Sequence, residues 1–144
     1  MSSLSLAQAS TLVDAALARG RADGLAPLTV AVLDAGGHLV AFKREDRSGI
    51  LRFDIAYGKA WGALGMGFGS REWVGRVANS PAFFTAIAAA SGGRVVPAPG
   101  GVLIENAEGE VIGAVGISGD ASDNDEACAL AGIEMAGLRS RIGA

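Results

Sequence analysis

Two strand–turn–strand patterns constrain this chain more than any other feature. LTVAVLD (28–34) is a mostly apolar run, AGG is a turn, and HLVAFKR (38–44) returns as a second strand. Further on, GVLIEN (101–106) and EVIGAVGIS (110–118) are two apolar runs joined by AEG. Each pattern is a hairpin. Hairpins, unlike βαβ crossovers, imply an antiparallel sheet, and the amphipathic segments around them must supply helices to cover it.

Those segments read as follows. Ser5 and Gln8 form a capping box before a stripe of Leu6, Ala9, Val13, Ala16 and Leu17, and Gly20 or Gly24 ends that helix. Leu51 to Phe68 is helical, with Phe53, Tyr57, Ala60, Trp61, Leu64 and Phe68 on one aromatic-rich face and Lys59 off it. A short helix follows at 70–78, and another starts at Pro81. The last helix has Ser122 as N-cap and Asp123, Asp125 and Glu126 in its first turn; it runs past Leu138 to Arg139 and Arg141, with Gly143 as its stop. The expected fold is α/β of the α+β kind, in the order α-β-β-α-α-β-β-α. It forms one domain over residues 1–144, a length that supports its own core.

Composition excludes several function classes. The net charge is −3 and no run of Lys or Arg forms a basic stripe, so neither nucleic acid nor an anionic membrane is expected as a partner. Cys128 is the only cysteine, which removes internal disulfides and thiolate metal clusters. MSSLSLAQASTLVDAALARG lacks the basic and apolar regions of a signal peptide, and PAFFTAIAAA falls short of the roughly 20 residues of a membrane helix. A cytoplasmic protein is expected.

Nucleotide and hydrolase motifs fail on spacing. Gly58-Lys59 is followed by Ala60 inside a helix, not by Ser or Thr after a strand. Gly65-Met66-Gly67-Phe68-Gly69 ends a helix and lacks the dinucleotide spacing. GISGD has Asp120 where a nucleophile elbow needs glycine. DASDNDEACALA places Asp125 and Ala131 where a calcium loop needs Gly and Glu, so its acids read as helix capping, with a weak divalent-ion site as the alternative. No metal site is assigned.

A few side chains remain as candidates. His38 follows the AGG turn; it is either an exposed turn residue or an axial ligand or general acid/base. Lys59 sits among small and apolar residues, where a lysine is structural or is desolvated to act as base or anion holder. Arg44, Glu45, Asp46 and Arg47 form a charged run just beyond a strand. Cys128 reads as a small buried apolar residue. If the second hairpin pairs about AEG, then Pro99-Gly100-Gly101 and Ser118-Gly119 meet at its open end, beside the start of the last helix.

AVLDAGGHLVAFKRED, the helix containing IAYGKAWGA, PAPGGVLIENAEGEVIGAVGISG and the Asp-rich start of an Ala-rich final helix together resemble the GlcG/HbpS-like family, which includes the C-terminal domain of PduO-type proteins. The resemblance spans about 25 to 140. It implies a profilin-like antiparallel sheet flanked by helices and assembly of the chain with itself, from dimers to octamers. It also implies a bound tetrapyrrole, haem or corrinoid, or another small ligand. By position, it points to Asp34, Gly37, Arg44, Asp46, Lys59, Pro99, Gly100, Gly101, Gly116, Ser118, Gly119 and Asp125. The axial donors on offer are His38, Tyr57, Lys59, Met66 and Cys128. Two functions follow. One is a tetrapyrrole- or small-ligand-binding protein. The other is a cofactor-independent lyase or isomerase, with Lys59 or His38 as base, Arg44 holding an anionic group, and the Gly100 and Gly101 amides stabilising negative charge. A purely structural oligomer is the third reading.

Overall fold

The computed structural model describes residues 3–144. Its centre is a five-stranded antiparallel sheet in the order β2-β1-β4-β3-β5. The strands are β1 (Thr29–Asp34), β2 (Leu39–Arg44), β3 (Gly101–Glu105), β4 (Val111–Ser118) and β5 (Arg139–Arg141). The two expected hairpins form and join side by side, because β1 pairs with β4 over its whole length, from Thr29↔Ser118 to Asp34↔Gly113. The helices are α1 (Leu6–Ala22), α2 (Arg52–Met66), α3 (Glu72–Asn79), α4 (Pro81–Ala90) and α5 (Ser122–Met135).

Alternation along the central strands sends side chains to two different layers. Val30, Val32, Val102, Ile104, Val115 and Ile117 face α1 and α5, where they meet Leu12, Val13, Ala16, Cys128 and Ile133. Leu33, Leu103 and Ala114 face α2 and meet Ala60 and Ala63. Covering both faces explains why β1, β3 and β4 read as almost continuous apolar runs. The second layer is thin because its residues are small. Gly116 lies directly under α2, and a Cβ there would overlap the Ala56 carbonyl oxygen. The aromatic face of α2 is therefore not the core face. Phe53, Tyr57, Trp61 and Leu64 are only half-buried, while Ala56, Lys59, Ala60 and Ala63 are buried against the sheet.

Three features differ from the order expected. Three helices stand between the hairpins, as the segments 51–68, 70–78 and the one from Pro81 read, where the order α-β-β-α-α-β-β-α counts two. The last helix begins at Ser122 with Ala121 as its cap, and it stops at Met135. There Gly137 takes a left-handed φ of 74°, Leu138 N donates to Ile133 O and Gly137 N to Glu134 O, a Schellman ending. The chain then reverses, so Arg139–Arg141 pair with β3 as a fifth strand and do not extend the helix. At the other end of the chain, the Ser5/Gln8 capping box forms as read, with both bonds at 3.0 Å.

One helix stands apart. No side chain of α4 is buried and none is charged, and Phe83 is 50% exposed. It is held through Phe84, whose ring meets Trp73 edge-on at 5.2 Å. Among the described residues no helix is long and apolar enough to cross a membrane.

Candidate functional site

The open end of the β3–β4 hairpin gathers most of the candidate residues. Lys59 reaches across from α2, and its Nζ donates to Ile117 O at 2.8 Å and to Asp125 Oδ2 at 3.2 Å. Both charged side chains are fully enclosed, at 3% and 1% exposure. Asp125 Oδ1 accepts from Asp120 N at 3.1 Å, so the carboxylate bridges the lysine and the turn leading into α5. Burial pushes the Lys59 ammonium down from its ordinary value and the Asp125 carboxyl up from its own; each partner's charge opposes the other's shift, and the charge of nearby Arg52 adds to the lowering at Lys59.

The glycines make room for this pair. Gly100 has a φ of 121°, and a Cβ on it would stand 3.0 Å from Lys59 Nζ and 2.9 Å from Ile117 O. Gly101 passes so near the Lys59 carbonyl that no side chain fits. Its amide donates to Ser70 Oγ at 2.8 Å, Ser70 N donates to its carbonyl at 2.9 Å, and Ser70 Oγ donates to Ala98 O at 2.5 Å. Pro99 is buried in this same segment. Ser118 Oγ, fully buried, accepts from Arg52 at 3.0 Å. Gly119 follows with a φ of 153°. The Gly101 amide, a candidate for stabilising negative charge, thus already has its acceptor, and Lys59 has two.

The acids at the start of α5 take separate partners. Asp120 accepts from the Ala26 and Ala121 amides and from Asn124, and Asp123 and Glu126 both grip Arg71. No group of three or more His, Cys, Asp or Glu side chains converges on one point among the described residues.

Other candidates lie elsewhere. Arg44 ends β2, opposite Thr29, and together with Asp46 it lines a cleft of about 400 Å³. His38 and Tyr57 lie at the far end of the sheet, where Tyr57 Oη donates to Gly37 O at 3.3 Å. The His38 side chain is 81% exposed, and its Nδ1 stands 3.2 Å from Asp34 Oδ1, leaving Nε2 for another partner. Asp34 also accepts the Gly36 and His38 amides, and these bonds, His38's first, lower its carboxyl from the ordinary value. The turn borders a second cleft of about 400 Å³ with Leu4, Val111 and Ile112 in its wall.

Two contacts of this cluster, those of Ser70 and Arg52, leave no mark in the sequence. Ser70 follows a glycine-rich helix end and has no motif around it. Arg52 stands in the first turn of α2 with no motif around it either. Neither carries a signal stronger than a polar residue among small ones.

A thin antiparallel sheet between helices, tied at one end by a buried lysine and carrying an exposed histidine beside a carboxylate at the other, defines an α+β protein of one sheet covered on both faces. The chain belongs to the HbpS-like family, whose model, described as haem degrading protein HbpS-like, matches residues 4–134. It is similar to the solved PduOC–haem complex, with 26% identity and a TM-score of 0.87 over 97% of this chain and 99% of that one. HbpS of Streptomyces reticuli, solved as a double mutant, is 27% identical with a TM-score of 0.79, covering 93% of this chain and 87% of that one. ORFY of Klebsiella pneumoniae shares the fold at 24% identity and a TM-score of 0.86, covering 95% and 92%. No curated protein sequence matches with significance.

A buried pair is costly to break from one side. Lys59→Met is expected to lower unfolding stability by about 3–5 kcal/mol. Lys59→Met with Asp125→Asn, which removes both charges and keeps an acceptor for Asp120 N, should recover a large part of that loss. Urea melts of the four proteins check this; additive losses would show that the pair is not coupled.

Proposed function

We propose that this chain is a haem-binding protein and that His38 holds the iron. The observation that carries this reading is the His38–Asp34 contact, read together with the membership of the chain in the HbpS-like family. A metal-binding imidazole is commonly oriented by a carboxylate on its other nitrogen, which fixes the tautomer and leaves one donor facing outward. Asp34 does this here, and it is itself fixed by two backbone amides.

The other axial donors fit less well. Lys59 Nζ is enclosed and has two partners. Burial pushes the Cys128 thiol up to about 11, so it holds its proton where a thiolate is required. Tyr57 is committed to Gly37 O, and Met66 packs on the cluster of Phe68 and Trp73. The apolar wall of Leu4, Val111 and Ile112 beside His38 offers a surface for one face of a flat macrocycle. When bound, haem supplies the redox and ligand-binding chemistry of its iron; the protein supplies the donor, its orientation and an apolar floor. The reading as an acid–base enzyme with Lys59 as base gains no observation of an accessible amine.

Haemin added to the purified protein should give a saturable Soret shift at one haem per chain. His38→Ala should remove the shift while leaving the melting temperature unchanged, as befits a side chain this exposed. A wild-type shift in the His38→Ala protein would refute the assignment.

The same reading includes self-association, and α4 is the surface that supports it. It is the one helix of the described chain with no charged residue, and it buries none of its side chains. A second copy's α4 covers it without desolvating a charge, in a two-fold contact of like surfaces. Phe83→Glu should reduce the mass measured by light scattering at micromolar concentration to a smaller species; an unchanged mass would place the contact elsewhere.

A further inference from the structure

A further cleft, apart from His38, is lined by aromatic side chains. It has a volume of about 450 Å³ and lies along the edge strand β2, walled by Phe42 and Phe53, with Leu17 and Ile50 beside them. Phe42 and Phe53 meet edge to face at 5.1 Å, so the wall is already packed. The segment between them is pinned from below by the buried Thr29 Oγ1–Ser48 Oγ bond of 2.7 Å.

The charges around the cleft do not cancel. Lys43 pairs with Asp14 at 2.7 Å. Glu45 has both oxygens engaged, one by Leu28 N at 2.7 Å and the other by Arg21 at 2.9 Å. Arg44, which lines this cleft and the neighbouring one, has no acidic partner within 4 Å among the described residues. Nor has Arg47 or Arg52 on the same stretch, Arg52 donating only to the neutral Ser118 hydroxyl. In a chain of net charge −3, three guanidinium groups within nine residues thus stand without a carboxylate. Two acids of the stretch are also unpaired among the described residues, Asp46 in the adjoining cleft and exposed Asp54 next to Phe53.

We infer that this cleft binds a small organic carboxylate with an apolar body, the body lying on Phe42 and Phe53 and the carboxylate meeting Arg44. A guanidinium presents a planar fork that matches a carboxylate, and next to an apolar wall that pair is less screened than in open water. The apolar wall selects against phosphate and other fully hydrated anions, which gain nothing from it. The site is separate from the proposed haem site: His38 and Arg44 are six residues apart along β2, roughly 20 Å in an extended strand.

Isothermal titration calorimetry with sodium benzoate at fixed ionic strength tests this, with benzamide as the uncharged probe of the same shape. Benzoate should saturate at one per chain and bind at least about tenfold more tightly than benzamide. Arg44→Gln should weaken benzoate to the level of benzamide, Asp46→Asn should tighten it, and His38→Ala should leave it unchanged. No benzoate binding, equal binding of benzoate and benzamide, or full benzoate affinity in Arg44→Gln would overturn the assignment. The benzamide comparison uses the unaltered protein and does not depend on any variant folding.

Discussion

The Lys59–Asp125 contact is the constraint on which the rest of the molecule depends. It ties α2, β4 and α5 at one point, because a single ammonium reaches the Ile117 carbonyl and the α5 carboxylate together. Two charges are removed from water to do this, and both are pushed towards neutrality by burial. Such a pair adds little net stability over an apolar one of the same volume, but leaving either charge alone is costly, so α2, β4 and α5 are held to the geometry that satisfies both. The glycines at 100 and 101 follow from it, for any side chain there would press on the lysine or on its backbone.

Two ends of the sheet consequently have different characters. Around Lys59 itself the hydroxyls, amides and charges are paired with one another, through Ser70, Arg52 and Asp120, while Arg44 and Asp46 line an open cleft at the same end of the sheet. At the other end the β1–β2 turn projects, with His38 exposed and its cleft open beside it. A rigid scaffold that presents polar side chains on an exposed turn is a common division of labour, because buried loops cannot leave polar groups unpaired. The β2 edge, which has no strand beyond it, carries the third character: an apolar wall beside Arg44, which has no acidic partner among the described residues.

Much of this was legible in the residues, and the reasons differ element by element. Both hairpins were visible because their strands are bounded by AGG and AEG, and α1 because Ser5 and Gln8 form a reciprocal cap. β5 was not visible: Arg-Ser-Arg has no strand pattern, and it exists only because Gly137 turns the chain back towards β3. The aromatic face of α2 carried the stronger periodic signal, yet the sheet beneath the helix is lined by Ala114 and Gly116, which admit only the alanine side. For the same reason Lys59 looked peripheral to the stripe and is in fact inside the protein. The open end of the second hairpin was expected as the meeting place of Pro99-Gly100-Gly101 with Ser118-Gly119, beside the start of the last helix, and the Gly101↔Gly116 pairing and the Ile117 N–Gly100 O bond bring those segments together. That those groups would already satisfy one another depends on Ser70, Arg52 and Asp120, whose contacts are long-range and leave no spacing to read.

On the proposed reading haem binds at the His38 end, and the Lys59–Asp125 contact stays closed to it. Paramagnetic broadening in the ¹H–¹⁵N spectrum on adding substoichiometric haemin tests it most directly. The account predicts loss of the amide signals of Ala35–Leu39, Val111 and Ile112, with those of Gly100, Gly101 and Ser118–Asp125 kept sharp. Broadening centred on the second set, with the first unaffected, would contradict it.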